Sequence, residues 1–375
     1  WFALLRVPAL DGAAEGTWTP RGSAAALRKG QALVACGSAF GALRPALFLN
    51  ALSAGVLSNA AGALLLTDAR CLPGTEGAGV FTDGAQPRLV AAVVAPLCGD
   101  NGDSLGLTLL CSLDTILEAA ATVLERNRVP RPPPPLEEEQ EEAPAPPRAA
   151  LVQCGPAWGS GVLLGPRLLL TCRHVVQPGA TVDAALQHDA SPRAVHRGAA
   201  ALGGHVVFVT NEESPFDVAV VELERSVPGF VPPRLASRFC PGEAVHVESY
   251  GLLGSACGPS VTAGVLSAVL AVAGRPVMLQ TTCAVHSGSS GGPVFSTRTG
   301  QLLGIVASNT RDTSVGATYP HLNFSVPITV LQPAVARYVR TGDAAALAVL
   351  NRASAGVREL WRLQQPPPEV PLSKL

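Results

Sequence analysis

The sequence is poor in charge. Asp, Glu, Lys and Arg make up 15% of it and nearly cancel, leaving a formal net charge of −1. Such a chain has no basic field to hold a phosphate backbone, which excludes nucleic acid as an expected partner. It also lacks an unbroken apolar span. Residues 45–67 carry no charge, but Asn50, Ser53, Gly55, Ser58, Asn59 and Gly62 cut them into strand-length pieces, so no membrane span is expected. Short-spaced cysteine pairs are missing too. The nine cysteines (36, 71, 98, 111, 154, 172, 240, 257 and 283) are odd in number, and no secretory leader precedes them. Free thiols in a reduced, intracellular setting are therefore expected. Neither a metal nor a cofactor is expected. Methionine occurs once, at Met278, and not at the start. The stretch Trp1–Val7 already reads as a strand inside a domain, as in a fragment or a processed product.

Small and apolar residues are plentiful. The 375 residues are 47% hydrophobic and include 38 Gly and 33 Pro. That length suggests two or three domains. The composition favours an all-β chain with many turns over helical bundles.

Three stretches carry chemistry. His286-Ser287-Gly288-Ser289-Ser290-Gly291-Gly292-Pro293 sets a hydroxyl on a glycine-hinged turn, where two backbone N–H groups can face one point. A serine held there can attack a carbonyl while those groups stabilise the oxyanion. Leu168-Leu169-Leu170-Thr171-Cys172-Arg173-His174 places an imidazole at the end of an apolar strand. Ser214-Pro215-Phe216-Asp217-Val218-Ala219-Val220 places an acid at the mouth of a buried β-type run, desolvated enough to hold an imidazole tautomer. The order is His, Asp, Ser, with gaps of 43 (174 to 217) and 73 (217 to 290).

Together these stretches resemble the trypsin-like serine proteases, the HtrA/Deg branch in particular. L-L-T-C-R-H-V-V resembles that branch's histidine motif, F-D-V-A-V-V-E-L its aspartate motif and G-S-S-G-G-P-V its serine motif. The resemblance implies a double β-barrel and a peptidase with Ser290 as nucleophile, His174 as base and Asp217 orienting it. It makes the N–H groups of Gly288 and Ser290 the oxyanion hole. His286 lies too close along the same tight loop to serve as the base. Ser289 stands where digestive members keep an Asp for a freed N-terminus, which argues against zymogen-style activation. Ala284, six residues before the nucleophile, replaces the acid of an Arg/Lys pocket, so a small or neutral P1 residue is expected. Substrate contacts are further expected from Ala307, Ser308 and Asn309 on the strand that lines the cleft, and from Asn323 in the N-F-S-V-P that resembles the branch's pocket-closing segment. No room remains for the PDZ domain typical of that branch.

The N-terminal third repeats the second half of this pattern. Ala54-Gly55-Val56-Leu57-Ser58 recurs identically at 263–267, and Gly74–Phe81 aligns with Gly288–Phe295. Ala92-Val93-Val94-Ala95 aligns with Gly304-Ile305-Val306-Ala307. Glu76 then falls at the nucleophile position. Residues 1–125 read as a degenerate second-barrel half with no partner barrel. Its apolar surface is expected to dock on upstream sequence, on the protease domain or on another subunit. Residues 126–149 read as a Pro/Glu-rich linker, extended and accessible to nicking. Residues 150–345 form the protease domain and 346–375 a C-terminal helix and tail.

The tail ends Ser373-Lys374-Leu375, a receptor-read peroxisomal address rather than an anchor. With that address, the resemblance implies a matrix protease whose substrates are imported enzyme precursors. Their targeting leaders would be removed, with self-cleavage and self-association. The alternatives are a general quality-control protease and a scaffold that holds peptides without cutting them.

Overall fold

The computed structural model describes residues 2–5, 19–41, 43–99, 102–127, 129, 133–135, 148–186, 201–251, 254, 257–312 and 316–362. Its strands are antiparallel and close into three six-stranded barrels. The N-terminal barrel comprises β1 (Ala32–Gly37), β2 (Ala51–Ala61), β3 (Leu64–Thr67), β4 (Gly79–Thr82), β5 (Leu89–Cys98) and β6 (Ser104–Ser112). The middle barrel comprises β7 (Ala149–Cys154), β8 (Ala157–Gly165), β9 (Leu168–Thr171), β10 (Thr181–Leu186), β11 (Leu202–Val209) and β12 (Ala219–Leu223). The C-terminal barrel comprises β13 (Ala244–Ser249), β14 (Ser260–Val272), β15 (Arg275–Thr281), β16 (Pro293–Ser296), β17 (Leu302–Asp312) and β18 (Ala317–Pro327). The all-β expectation holds.

Small and β-branched residues explain the closure. Their side chains fill a narrow barrel without forcing the strands apart. The uncharged stretch 45–67 becomes a single helical turn, α1 (Pro45–Phe48), followed by β2 and β3. Among the described residues no helix is long and apolar enough to cross a membrane. All nine cysteines are free thiols.

Val162, Leu170 and Val220 of the middle barrel share one continuous core with Val247, Leu279, Phe295 and Ile305 of the C-terminal barrel. Burying that shared face is what fixes the two barrels against each other. The N-terminal barrel has its own core, built from Leu27, Leu33, Leu57, Leu65, Val80, Val93 and Leu110. It is closed by α2 (Leu113–Arg126), which begins where Ser112 Oγ accepts the Thr115 N–H.

The N-terminal and C-terminal barrels have the same strand order, β1-β2-β3-β6-β5-β4 and β13-β14-β15-β18-β17-β16. One detail of the repeat changes. The pairings Ala91↔Val80 and Gly304↔Val294 put Ala91, not Ala92, opposite Gly304. The inward alternation explains the one-residue slip, because it brings buried Val93 over buried Val306. Phe2–Leu5 belong to no strand, contrary to the sequence reading, because the barrel closes on β1 and β4 without them. Of the three docking surfaces open to the N-terminal barrel, the structure shows contact with the C-terminal barrel, where β2 packs on β14.

After β18 come α3 (Ile328–Thr341), a 3₁₀ segment (Ala344–Asn351) and α4 (Ala355–Trp361). The C-terminal helix expected from residue 346 onward is thus two pieces. Asn351 turns its Oδ1 to the Asn211 N–H, and Ser354 caps a new helix by accepting from Val357 N. Of the linker, residues 126, 127, 129, 133–135, 148 and 149 are described. The Ser-Lys-Leu terminus lies outside the described residues.

Candidate active site

His174 sits in a 3₁₀ turn (Arg173–Val175) directly after β9. The turn cannot drift, because Cys172 and Val175 are buried on either side of it. Asp217 precedes β12 between buried Phe216 and Val218, and Thr210 Oγ1 donates to the carbonyls of both neighbours. The two meet across 43 residues. His174 Nδ1 is hydrogen-bonded to Asp217 Oδ2, and Asp217 Oδ1 accepts the His174 backbone N–H at 3.1 Å. Ring and main chain are both gripped by one carboxylate, which fixes the tautomer that leaves Nε2 free to take a proton. Arg173 Nε lies 3.8 Å from the same carboxylate.

Cys172 lies behind this pair, its Sγ 3.1 Å from the Val306 carbonyl. Among the described residues, Cys172, His174 and Asp217 form a group close enough to share an ion. Burial pushes the Cys172 thiol well above its ordinary value, with Asp217 adding to the effect, so it stays protonated and is a poor ligand.

The loop that carries Ser290 is tied to both barrels. Gly291 N–H donates to Val306 O (2.7 Å), Gly292 N–H to Ser289 O (2.9 Å) and Ser289 N–H to His286 O (2.9 Å). From the middle barrel, Ser160 N–H donates to Ser290 O (2.8 Å) and Ser160 Oγ to Gly288 O (2.7 Å). Gly159 is wedged between Val175 and Ser290 O, which sets Ser290 beside the turn that carries His174. Among the described residues no hydrogen bond joins Ser290 to His174. The N–H groups of Gly288 and Ser290 are not engaged in any internal hydrogen bond among the described residues. Gly288 and Gly291 have φ of +88° and +83°, which is why glycine stands at both.

Other expected site residues have differing surroundings. Ala284 is buried, its carbonyl accepting from Thr262 Oγ1 at 2.9 Å. Ala307 is buried and Ser308 and Asn309 half-buried on β17. Beyond Ile305 this strand pairs only with β18, so its other edge has no strand partner among the described residues. Asn323 is fully buried. Its Oδ1 accepts from Thr281 Oγ1 (2.7 Å) and its Nδ2 donates to Cys283 O (2.7 Å), stitching β15 to β18 and leaving little for a substrate. Burial lowers His286 to about 4, so its ring is neutral. Ser289 Oγ is 3.0 Å from Ser249 Oγ, a neutral pair where a freed N-terminus would need an acid.

The structure adds residues that no motif marked. Trp158 lies against Gly288, so close that a Cβ there would be 2.1 Å from its ring. The Asp217 loop is braced by the C-terminal segment, with Ser214 Oγ donating to Leu350 O (2.8 Å) and Trp361 packed edge-on against Phe216 at 6.1 Å.

A half-buried aspartate orienting a histidine beside a glycine-held serine is an arrangement for acyl transfer. A profile of the trypsin-like peptidase domain matches residues 159–305. The chain is 53% identical over 393 residues to the peroxisomal leader peptide-processing protease of Mus musculus, across 100% of this chain and 67% of that protein. It is 51% identical over 392 residues to the Homo sapiens protein of the same description, across 100% of this chain and 68% of that one. Among solved structures, the serine endoprotease from Yersinia pestis matches at a TM-score of 0.40 and 21% identity, over 53% of this chain and 65% of that one. With relatives of such identity along its whole length, the chain belongs to the trypsin-like serine proteases, in the group of the peroxisomal leader peptide-processing proteases.

Proposed function

We propose that the chain is a peroxisomal serine endopeptidase that removes targeting leaders from imported matrix enzymes, with Ser290, His174 and Asp217 as its triad. The bond between His174 Nδ1 and Asp217 carries this reading, because it leaves Nε2 to accept the Ser290 proton. Ser290 Oγ then attacks the scissile carbonyl, and the negative charge gathers at the N–H groups of Gly288 and Ser290. His174 passes the proton to the leaving amine, and water repeats the sequence to free the enzyme. Asp217 steadies the imidazolium in between. The open edge of β17 at Ala307–Asn309 suits a peptide added as an extra strand. The buried, uncharged Ala284 suits a small or neutral P1 side chain. Ser373-Lys374-Leu375 gives the import receptor its address, and self-cleavage and self-association complete the proposal.

The test is a matrix-enzyme precursor bearing its leader, incubated with wild-type chain or Ser290→Ala. One clip that leaves the folded body intact is expected from the wild type. A loss of roughly 10⁴–10⁶-fold is expected in the variant, with unchanged melting. Cleavage by Ser290→Ala would remove the nucleophile assignment. General degradation of unfolded substrates would favour the quality-control reading.

A further inference from the structure

The N-terminal barrel has Glu76 where the protease unit has Ser290, yet it places a buried ammonium against that unit. Lys29 is 3% exposed, and its Nζ donates to Cys257 O (2.9 Å) and Pro259 O (2.8 Å). Among the described residues no carboxylate pairs with it. Burying an ammonium against neutral carbonyls is expensive, so apolar adhesion alone does not account for it. Asn59 Nδ2 takes the intervening carbonyl, Gly258 O, at 3.2 Å and Ser260 Oγ at 2.9 Å. Three successive carbonyls are thereby held by side chains of the N-terminal barrel. Gly258, at φ +66°, is the bend between them.

Residues on both sides of the clamped segment touch the Ala284–Ser290 loop. Upstream of it stand Tyr250 and Gly251, the intervening residues 252, 253, 255 and 256 lying outside the described residues. Tyr250 N–H donates to Ser160 Oγ (2.8 Å), the hydroxyl that also holds Gly288 O. The Tyr250 carbonyl lies against Gly288, and Gly251 against the His286 ring. Forwards, it enters β14, where Asp68 Oδ2 accepts the Ala263 N–H (2.6 Å) and Thr262 Oγ1 holds Ala284 O (2.9 Å). Two further contacts from the same barrel reach this wall: Gly106 against Ala284 and His321, and Asp103 Oδ2 accepting from Thr318 N at 3.2 Å.

We propose that Lys29 is a positioning residue for the oxyanion loop Ala284–Ser290, so that the N-terminal barrel serves the protease as a brace for its oxyanion donors. The proposal rests on the reading of Ser290 as nucleophile. A loop displaced by as little as an ångström loses much of its advantage.

The test uses the full chain and a fluorophosphonate probe, with inactivation resolved into its limiting rate and half-saturating concentration. The labelled fraction at completion is counted, and every variant is measured below its melting transition. Lys29→Met keeps the buried stem and removes the donors. Its limiting rate is expected to fall about tenfold or more, while the half-saturating concentration moves less than about threefold. Lys29→Arg, which restores charged donors, should recover much of the rate. Asn59→Ser frees the Gly258 carbonyl and should lower the rate by a smaller factor, a readout that stands even where Lys29→Met does not fold. A wild-type limiting rate in folded Lys29→Met, or a deficit wholly explained by fewer labelled molecules, overturns the proposal. Labelling of Ser290→Ala would instead overturn the nucleophile reading beneath it, so the two failures are distinguishable.

Discussion

Glu76 Oε2 accepts the Gly74 N–H at 2.7 Å, so the carboxylate at the nucleophile position of the N-terminal barrel closes on the donor that corresponds to Gly288. The loop around it is otherwise a faithful copy. Gly77 N–H donates to Val93 O, Ala78 N–H to Thr75 O and Thr75 N–H to Leu72 O, as Gly291, Gly292 and Ser289 donate to Val306, Ser289 and His286. Gly74 and Gly77 have φ of +94° and +85°, against +88° and +83° in the other loop.

A backbone able to stabilise an oxyanion is therefore present twice, but one copy is filled by its own side chain. Glu76→Ala should leave protease activity unchanged. Glu76→Ser should not create a second reactive serine, because among the described residues no imidazole is hydrogen-bonded to that loop. Counting fluorophosphonate labels checks both variants, with one per chain expected in each. Two labels on Glu76→Ser would mean that a base faces this loop after all.

The proposed triad was legible because each member lies in a short local pattern. Apolar strands flank His174 and Asp217, and glycines flank Ser290, so chain-neighbour chemistry announces them. The repeat was legible for the same reason, through Ala54–Ser58 and its twin. Its register near Ala92 slipped by one because small residues on both faces of a strand leave the alternation weak. Lys29, Trp158 and Trp361 were illegible. Each takes its role from a partner far along the chain, at Cys257, Gly288 and Phe216 respectively. Asn323 sat in a pocket motif, but its carboxamide turns inward to Thr281 and Cys283, an orientation that no local pattern encodes.

Gly288→Ala should cripple turnover. A Cβ there would lie 2.1 Å from the Trp158 ring and 2.5 Å from the Tyr250 carbonyl, at a backbone φ of +88°. Losing the donor geometry costs roughly 10²–10³-fold in kcat. Adding Trp158→Ala should recover only part of this, since the Tyr250 carbonyl and the φ are unchanged. Full recovery in the double variant would show that the clash with the ring alone was responsible.

Deleting Ser373-Lys374-Leu375 should leave activity in a test tube unchanged, because an address read by a receptor has no part in the barrels. In cells lacking the normal copy, the shortened protein should remain in the cytosol while leader-bearing precursors accumulate in peroxisomes. Imaging and a gel of the precursors check the two halves. Import without the tail would mean that another segment carries the address.

The acid side of the stability curve should depend on His286. Burial lowers its imidazole from the ordinary 6.5 to about 4, and its Nδ1 is buried without a hydrogen-bond partner. Between those values the unfolded chain binds a proton that the folded chain refuses, so stability rises with pH across the window and is lost as the solution is acidified. The full loss, reached near pH 4, is about 3 kcal/mol. Asp68 works in the opposite sense. Burial raises it from 3.8 to about 6, so the folded chain holds its proton more tightly and its penalty is relieved as pH falls through 6. The wild-type slope is therefore a difference of two effects, and only a comparison with a variant at each pH isolates the imidazole. His286→Leu removes the titrating ring and puts there the residue type found at the corresponding Leu72. Urea unfolding of both proteins from pH 7 to 4.5 should show the variant gaining on the wild type as pH falls, most steeply below 6.5. Parallel curves would mean that His286 protonates in the folded chain as readily as in the unfolded one.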